Sequence, residues 1–260
     1  MTKPTFVFVP GAWHKPEIYS TVIKSLNEHG YPTVGLPLPS AGAMPPNMTF
    51  DEDVKAIRDT LTKLVDTEEK EVILVVHSYT GMPGAEAPEG LGKKDRQAKG
   101  LKGGVVRLVF IMAFAMPEGF QPTASGQQMP EWMKLDMQKG IVNVDPEDAK
   151  KIFYNDLSPD EADEWASKLT HQSLGVYSST QTHAAWRHIP STYVIGEQDK
   201  TTFTPQVVDM IINGAKQLEP SAFDVIERCD GGHCLMISRP YWLAGVLRKA
   251  AGEVLPDKPM

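Results

Sequence analysis

Apolar residues in this chain follow two spacings that take turns along its length. Six short runs read as strands: "PTFVFVP" (4–10), "EVILVV" (71–76) and "VVRLVFIMAF" (105–114) as buried ones, "TVGLPLP" (33–39) as a short strand breaking into a proline-rich loop, and "STYVIG" (191–196) and "AFDVIER" (222–228) as two more. Between them the apolar positions shift to helical spacing. Ile18, Tyr19, Val22, Ile23 and Leu26 mark a helix from Pro16 to His29, with Gly30 as its stop. Val54, Ile57, Leu61, Leu64 and Val65 mark a second, behind a capping-box pair, Thr49 and Glu52. Thr204-Pro205 opens a helix to about Lys216, and residues 239–254 form a closing helix. Residues 88–104, rich in Gly and Lys, read as a surface loop. The alternation of strand and helix implies an α/β fold, a mostly parallel sheet with helices on both faces. One block, 117–187, breaks it: Met and Trp rise there and short helical patterns appear. The block reads as a small helical lid inserted before the last two strands, so that 1–116 and 188–260 form the core and 117–187 the lid.

The chain has 260 residues, enough for one sizeable domain with an inserted lid. Its net charge of −7 speaks against a nucleic-acid partner. The longest strongly apolar run, Leu108 to Met116, is too short to span a bilayer, and the N-terminus has no signal-peptide pattern. With two cysteines only, a disulfide framework is not expected. The expectation is a reduced, cytoplasmic protein acting on a small molecule, with no membrane partner; a homodimer is left open. No G-x-G-x-x-G follows a strand, so no dinucleotide is implied, and no cofactor is expected. Cys229, Asp230, His233 and Cys234 cluster without a second ligand group at zinc-like spacing, so no metal is expected either.

In an open α/β sheet, reactive groups collect at the carboxyl ends of strands. Four such ends carry chemistry here: "PGAWH" after the first, His77-Ser78-Tyr79 after the third, "EQDK" after 191–196 and "CDGGHC" after 222–228. The last three supply Ser78, Asp199 and His233, in the chain order Ser…Asp…His of one large class of hydrolases. Serine is a weak nucleophile that needs a base; histidine can be that base, and a carboxylate can fix its tautomer. Glu197 is a rival acid two residues away. Val76 and Thr80 stand where a G-x-S-x-G elbow would have glycines. Thr80 is small, and Val76 needs small residues opposite it, for which Gly81, Gly84 and Ala85 are near.

Nearly end to end, the chain resembles the α/β-hydrolase fold superfamily. It is most similar to the small esterases related to plant salicylate methyl esterases and hydroxynitrile lyases, and to their bacterial and fungal relatives. "FVFVPGAWHKPEIY" resembles the oxyanion-loop segment, "VVHSYTG" the nucleophile elbow, "YVIGEQD" the acid strand, "GGHCLMISRP" the histidine loop, and "IFYND…SPDEADEWASKL…QS" the lid. The resemblance implies Ser78, His233 and Asp199, in preference to Glu197, as a catalytic triad, and the backbone N–H groups of Ala12 and Tyr79 as an oxyanion hole. His77 supports the turn. Trp13, Trp132, Met137 and Trp186 are candidate substrate contacts. The implied activity is cofactor-independent hydrolysis of a small, partly apolar ester or lactone. Related hydroxynitrile lyases carry a lysine directly after the histidine and a threonine in the oxyanion loop, where Cys234 and Gly11 stand here. C–C bond hydrolysis or lyase chemistry on the same residues, or a ligand-binding protein that has kept the fold, are the competing functions.

Overall fold

The computed structural model describes residues 3–124 and 128–255; Ser125 to Gln127, inside the expected lid, and the two chain ends lie outside them. In chain order the first half holds β1 (Thr5–Val9), α1 (Ser20–Glu28), β2 (Thr33–Gly35), α2 (Asp51–Thr62), β3 (Glu71–His77), α3 (Gly81–Glu86), α4 (Lys93–Ala98) and β4 (Gly104–Ile111). The 117–187 block holds β5 (Lys134–Asp136), β6 (Ile141–Asn143), α5 (Pro146–Ile152), α6 (Pro159–Ser167) and β7 (Gln172–Ser173). The chain closes with β8 (Ser191–Gly196), α7 (Pro205–Leu218), β9 (Val225–Cys229), α8 (Leu235–Ser238) and α9 (Pro240–Ala250).

Six strands form one sheet in the order β2-β1-β3-β4-β8-β9, every neighbouring pair parallel. The apolar runs dictate this. A strand buried on both faces has no polar side to show, and β3 is buried from Val72 to His77. Strand order then places the helices. The step from β1 to β2 runs one way along the sheet and every later step runs the other way. With right-handed crossovers, α1 therefore covers one face, and α2, α3 and α7 the opposite one. Helix α9 returns to pack against α1. Phe6, Phe8, Tyr19, Phe110, Tyr193 and Phe223 fill the layers between, all buried. Among the described residues no helix is long and apolar enough to cross a membrane.

Three expectations need correction. The 117–187 block is not purely helical: β5, β6 and β7 form a separate antiparallel sheet within it. Residues 93–98 of the expected surface loop are helical, because Arg96 is buried and pairs with Asp66 at 2.5 Å while donating to the carbonyls of Val65 and Lys102. Thr49 and Glu52 do not make a capping box. Helix α2 starts at Asp51, and the N–H of Phe50 before it is held by Ser179 Oγ at 2.9 Å, so a tertiary contact sets the entry. Three acidic residues, Asp51, Glu52 and Asp53, fill the first turn and complement the helix dipole.

Candidate active site

Strand β3 runs directly into a turn at Ser78–Thr80 and then into α3. Ser78 sits at the corner with φ +56°, a left-handed conformation that costs a non-glycine residue about 1–3 kcal/mol. Its surroundings hold it there. Phe114 N–H donates to the Ser78 carbonyl at 3.1 Å. Thr80, at one missing glycine, accepts from His77 N–H with its hydroxyl at 3.0 Å. A Cβ on Gly81 would lie 2.3 Å from the Phe114 carbonyl oxygen, so this position must stay bare. Val76, at the other missing glycine, is matched across the strand–helix contact. A Cβ on Gly84 would stand 2.4 Å from Val76 Cγ1, so the space the motif's glycine would leave has moved to α3.

His233 follows β9 and is 2% exposed, with its ring between Phe153 (centroids 5.6 Å apart, 29°) and Phe203 (6.0 Å, 21°). Its Nδ1 lies 2.6 Å from Asp199 Oδ2. A carboxylate only accepts, so Nδ1 donates, and in the neutral ring the lone pair is then on Nε2. The other Asp199 oxygen accepts from Thr201 N–H at 2.6 Å. Glu197, the rival acid, points outward instead and pairs with Arg228 at 2.8 Å.

The loop after β1 packs against this corner. A Cβ on Gly11 would meet His77 Nδ1 at 2.9 Å and Ser78 Cβ at 3.0 Å, so the approach requires glycine. Among the described residues the Ala12 N–H has no acceptor. Trp13 takes φ +65° and donates its indole N–H to the Val142 carbonyl at 3.0 Å, tying the loop to β6. Tyr79 is buried, and its hydroxyl donates to Asp53 at 2.7 Å. Asp53 also accepts the N–H of Ser40 at 2.9 Å and its hydroxyl at 2.5 Å. Burial pushes the Asp53 carboxyl up, against the pull of those donors.

Two further histidines surround His233, and their chemistry was not visible in the sequence. His14 Nδ1 lies 2.8 Å from the Ala12 carbonyl, and Nε2 lies 2.8 Å from the Tyr154 hydroxyl. Since a carbonyl only accepts, Nδ1 is the protonated nitrogen and Tyr154 donates to Nε2. Burial is the main cause that lowers the His14 pKa to about 4. His77 Nε2 lies 3.1 Å from the His233 carbonyl, and burial drives its pKa well below the usual imidazole range. Both rings stay neutral at neutral pH. The residue before the serine thus holds the backbone of the histidine, a tie that no spacing motif encodes.

Ser78, Tyr79 and His233 open into one cavity of about 350 Å³. Its walls include Trp13, Phe114, Phe120, Trp132, Phe153 and Phe203, with Met129 and Met133 from the 117–187 block and Val207 and Ile211 from α7. Thr201, Thr202, Tyr177 and Gln128 are among its few polar residues, and no Lys, Arg, Asp or Glu is among its described lining residues. Two expected substrate contacts fall elsewhere. Met137 is 74% exposed and outside the lining, because it follows the outward-facing end of β5. Trp186 is buried in the core, its indole donating to the Met116 carbonyl at 3.2 Å and its ring 6.0 Å from Phe223.

Residues 6–246 match the model of the alpha/beta hydrolase family. An alpha/beta hydrolase of Aspergillus novofumigatus, nvfD, is 36% identical over 257 residues, covering 98% of this chain and 99% of that protein. Among solved structures, the Arabidopsis methylesterase MES16 superposes with a TM-score of 0.71 at 19% identity, covering 96% of this chain and 99% of the other. Polyneuridine aldehyde esterase gives 0.73 at 18% identity, with 96% and 99% covered. At those identities the two structures speak for the fold alone.

Proposed function

Because the chain belongs to the alpha/beta hydrolase family, we propose that it is a cofactor-independent serine hydrolase of carboxylesterase type, acting on a small, uncharged, largely apolar ester or lactone. One observation carries this reading: a single apolar cavity receives both Ser78, at its left-handed corner, and His233, whose Nδ1 is bonded to Asp199. The hydrolase name of the Aspergillus relative and the esterase names of the structural neighbours agree with it.

In the proposed reaction Ser78 Oγ attacks the ester carbonyl while His233 Nε2 takes its proton. Asp199 stabilises the resulting imidazolium and holds its tautomer. The carbonyl oxygen becomes an oxyanion that accepts from the N–H groups of Ala12 and Tyr79. Collapse breaks the C–O bond, and the imidazolium returns its proton to the leaving alcohol. Water, deprotonated by His233, then releases the acid and restores Ser78. The neutral His14 and His77 suit this cycle, since a second positive charge beside His233 would oppose the imidazolium. The absence of charged residues among the described lining residues favours a neutral substrate, because a buried unpaired carboxylate or ammonium would be costly there.

A fluorophosphonate probe should label the wild-type protein and not Ser78→Ala, and hydrolysis of neutral aryl esters should fall by orders of magnitude in the same variant. Labelling or turnover that survives in Ser78→Ala removes the serine from its role.

A further inference from the structure

The four residues that follow α5 each touch a different part of the site. Phe153 lies against the His233 ring and, at 5.7 Å, against Trp13. Tyr154 donates to His14. The Asn155 side-chain amide donates to the Gln198 carbonyl at 3.0 Å, and Gln198 immediately precedes Asp199. Asp156 Oδ2 accepts the N–H of Gly232 at 2.6 Å, and Gly232 immediately precedes His233. The loops after β1, β8 and β9 come from distant parts of the sequence, and this one turn of chain reaches all three.

The contacts are tight. The Asp156 side chain is 3% exposed, with Arg239 at 4.0 Å beside it. A Cβ on Gly232 would stand 2.7 Å from Asp156 Oδ1 and 2.8 Å from Asn155 Oδ1, so a larger residue here would have to displace these two side chains. Backbone bonds already join the two loops: Glu197 N–H to the Cys229 carbonyl and Gln198 N–H to the Gly231 carbonyl, both 2.9 Å. Asn155 then takes the carbonyl of Gln198, and Asp156 takes the next N–H along the histidine loop. The peptide groups leading into Asp199 and His233 are thereby fixed from both directions. A buried carboxylate directed at a backbone N–H carries a desolvation cost that a surface turn would not incur.

We propose that Asn155 and Asp156 are positioning residues that keep the Asp199–His233 pair in register, so that the 117–187 block completes the acid–base machinery as well as walling the cavity. This inference rests on the proposed hydrolase reading. A misplacement of about 1 Å in such a pair can lower turnover by about 10²-fold.

The test uses Asp156→Ala, Asp156→Asn and Asn155→Ala in the full chain. Measured are kcat and KM on a neutral aryl ester, the pH profile of kcat/KM, the unfolding temperature, and the proton NMR resonance of the His233 Nδ1–H. Asp156→Ala should lower kcat by about 10- to 100-fold with little change in KM, move the pH profile, and shift or broaden the resonance. Asp156→Asn keeps an acceptor oxygen and should recover most of each. Should Asp156→Ala fail to fold, Asn155→Ala, which truncates a partly exposed side chain, should show the same effects in weaker form. Variants that lower the unfolding temperature but keep the wild-type kcat, pH profile and resonance would overturn the proposal. The resonance needs no turnover. A perturbed resonance together with turnover that is indifferent to Ser78→Ala would support the positioning role while refuting the hydrolase reading.

Discussion

At the scale of single residues, the site departs from its sequence motif without losing the corner that the motif serves. Val76 fills space that a glycine would leave open, and Gly84 on the facing helix makes room for it. The pair should therefore behave as one unit. Gly84→Ala gains up to about 1 kcal/mol of helix propensity but forces a methyl group into Val76, an overpacking worth about 1–3 kcal/mol. The net effect should be destabilising in the wild-type background and neutral or stabilising in Val76→Ala. Urea denaturation of the four proteins in the cycle measures the coupling; additive changes would mean that the two residues do not oppose each other. Strand ends in a parallel sheet point at one edge, so strand position alone could bring Ser78, His233 and the Glu197–Asp199 segment to one place; the choice of Asp199 over Glu197 needed the family resemblance. Met137 and Trp186 could not be placed that way. Whether a side chain on an irregular segment faces a cavity depends on the path of the backbone, and residue type carries no record of it.

Elements were legible in proportion to their length and burial. The strands β1, β3, β4 and β8 were marked by continuous apolar runs, and their edges fall within a few residues of the pattern. Strands β5 to β7, two or three residues each, show no period of their own within a block dominated by helical spacing, so nothing in the pattern pointed to the second sheet. The loop after β1 shows a different kind of hidden content, a buried histidine pinned at both nitrogens. Its titration predicts how stability depends on pH. Burial lowers the His14 pKa to about 4 in the folded protein, from the ordinary imidazole value of about 6.5. As pH falls below 6.5 the unfolded chain takes up this proton first. The stability tied to neutral His14 is thus complete above pH 6.5 and is lost progressively toward pH 4, with about 3 kcal/mol at stake. His77 acts in the same direction. His14→Asn keeps a donor for the Ala12 carbonyl and removes the proton site. Its unfolding free energy should fall less steeply between pH 6.5 and 4, by up to about 1.4 kcal/mol per pH unit. Parallel curves for variant and wild type would show that His14 does not set the slope.

For the whole molecule, the proposed division of labour is between a sheet that brings Ser78 and His233 to one edge and the 117–187 block, whose side chains line the same cavity. The core contributes Ser78, His233, Phe203, Val207 and Ile211 to the cavity, while the block contributes Phe120, Met129, Trp132, Met133 and Phe153. Chemistry and selectivity should therefore be separable by mutation. Trp132 stands edge-on to Trp13 at 5.7 Å and lines the cavity. Shrinking it to alanine enlarges the cavity, so on the proposed hydrolase reading kcat/KM across a series of aryl esters of increasing acyl length should move toward longer chains, by roughly 1–3 kcal/mol if the indole touches the acyl group. The two other side chains serve as controls in opposite senses. Met137→Ala removes an exposed group outside the cavity and should leave both stability and chain-length preference unchanged. Trp186→Ala empties a buried core position and should cost about 3–5 kcal/mol of stability while the chain-length order stays that of the wild type. If Trp132→Ala unfolds the protein without altering the preference, or if Met137→Ala alters it, the substrate lies along another wall and the cavity described here is not where the acyl chain binds.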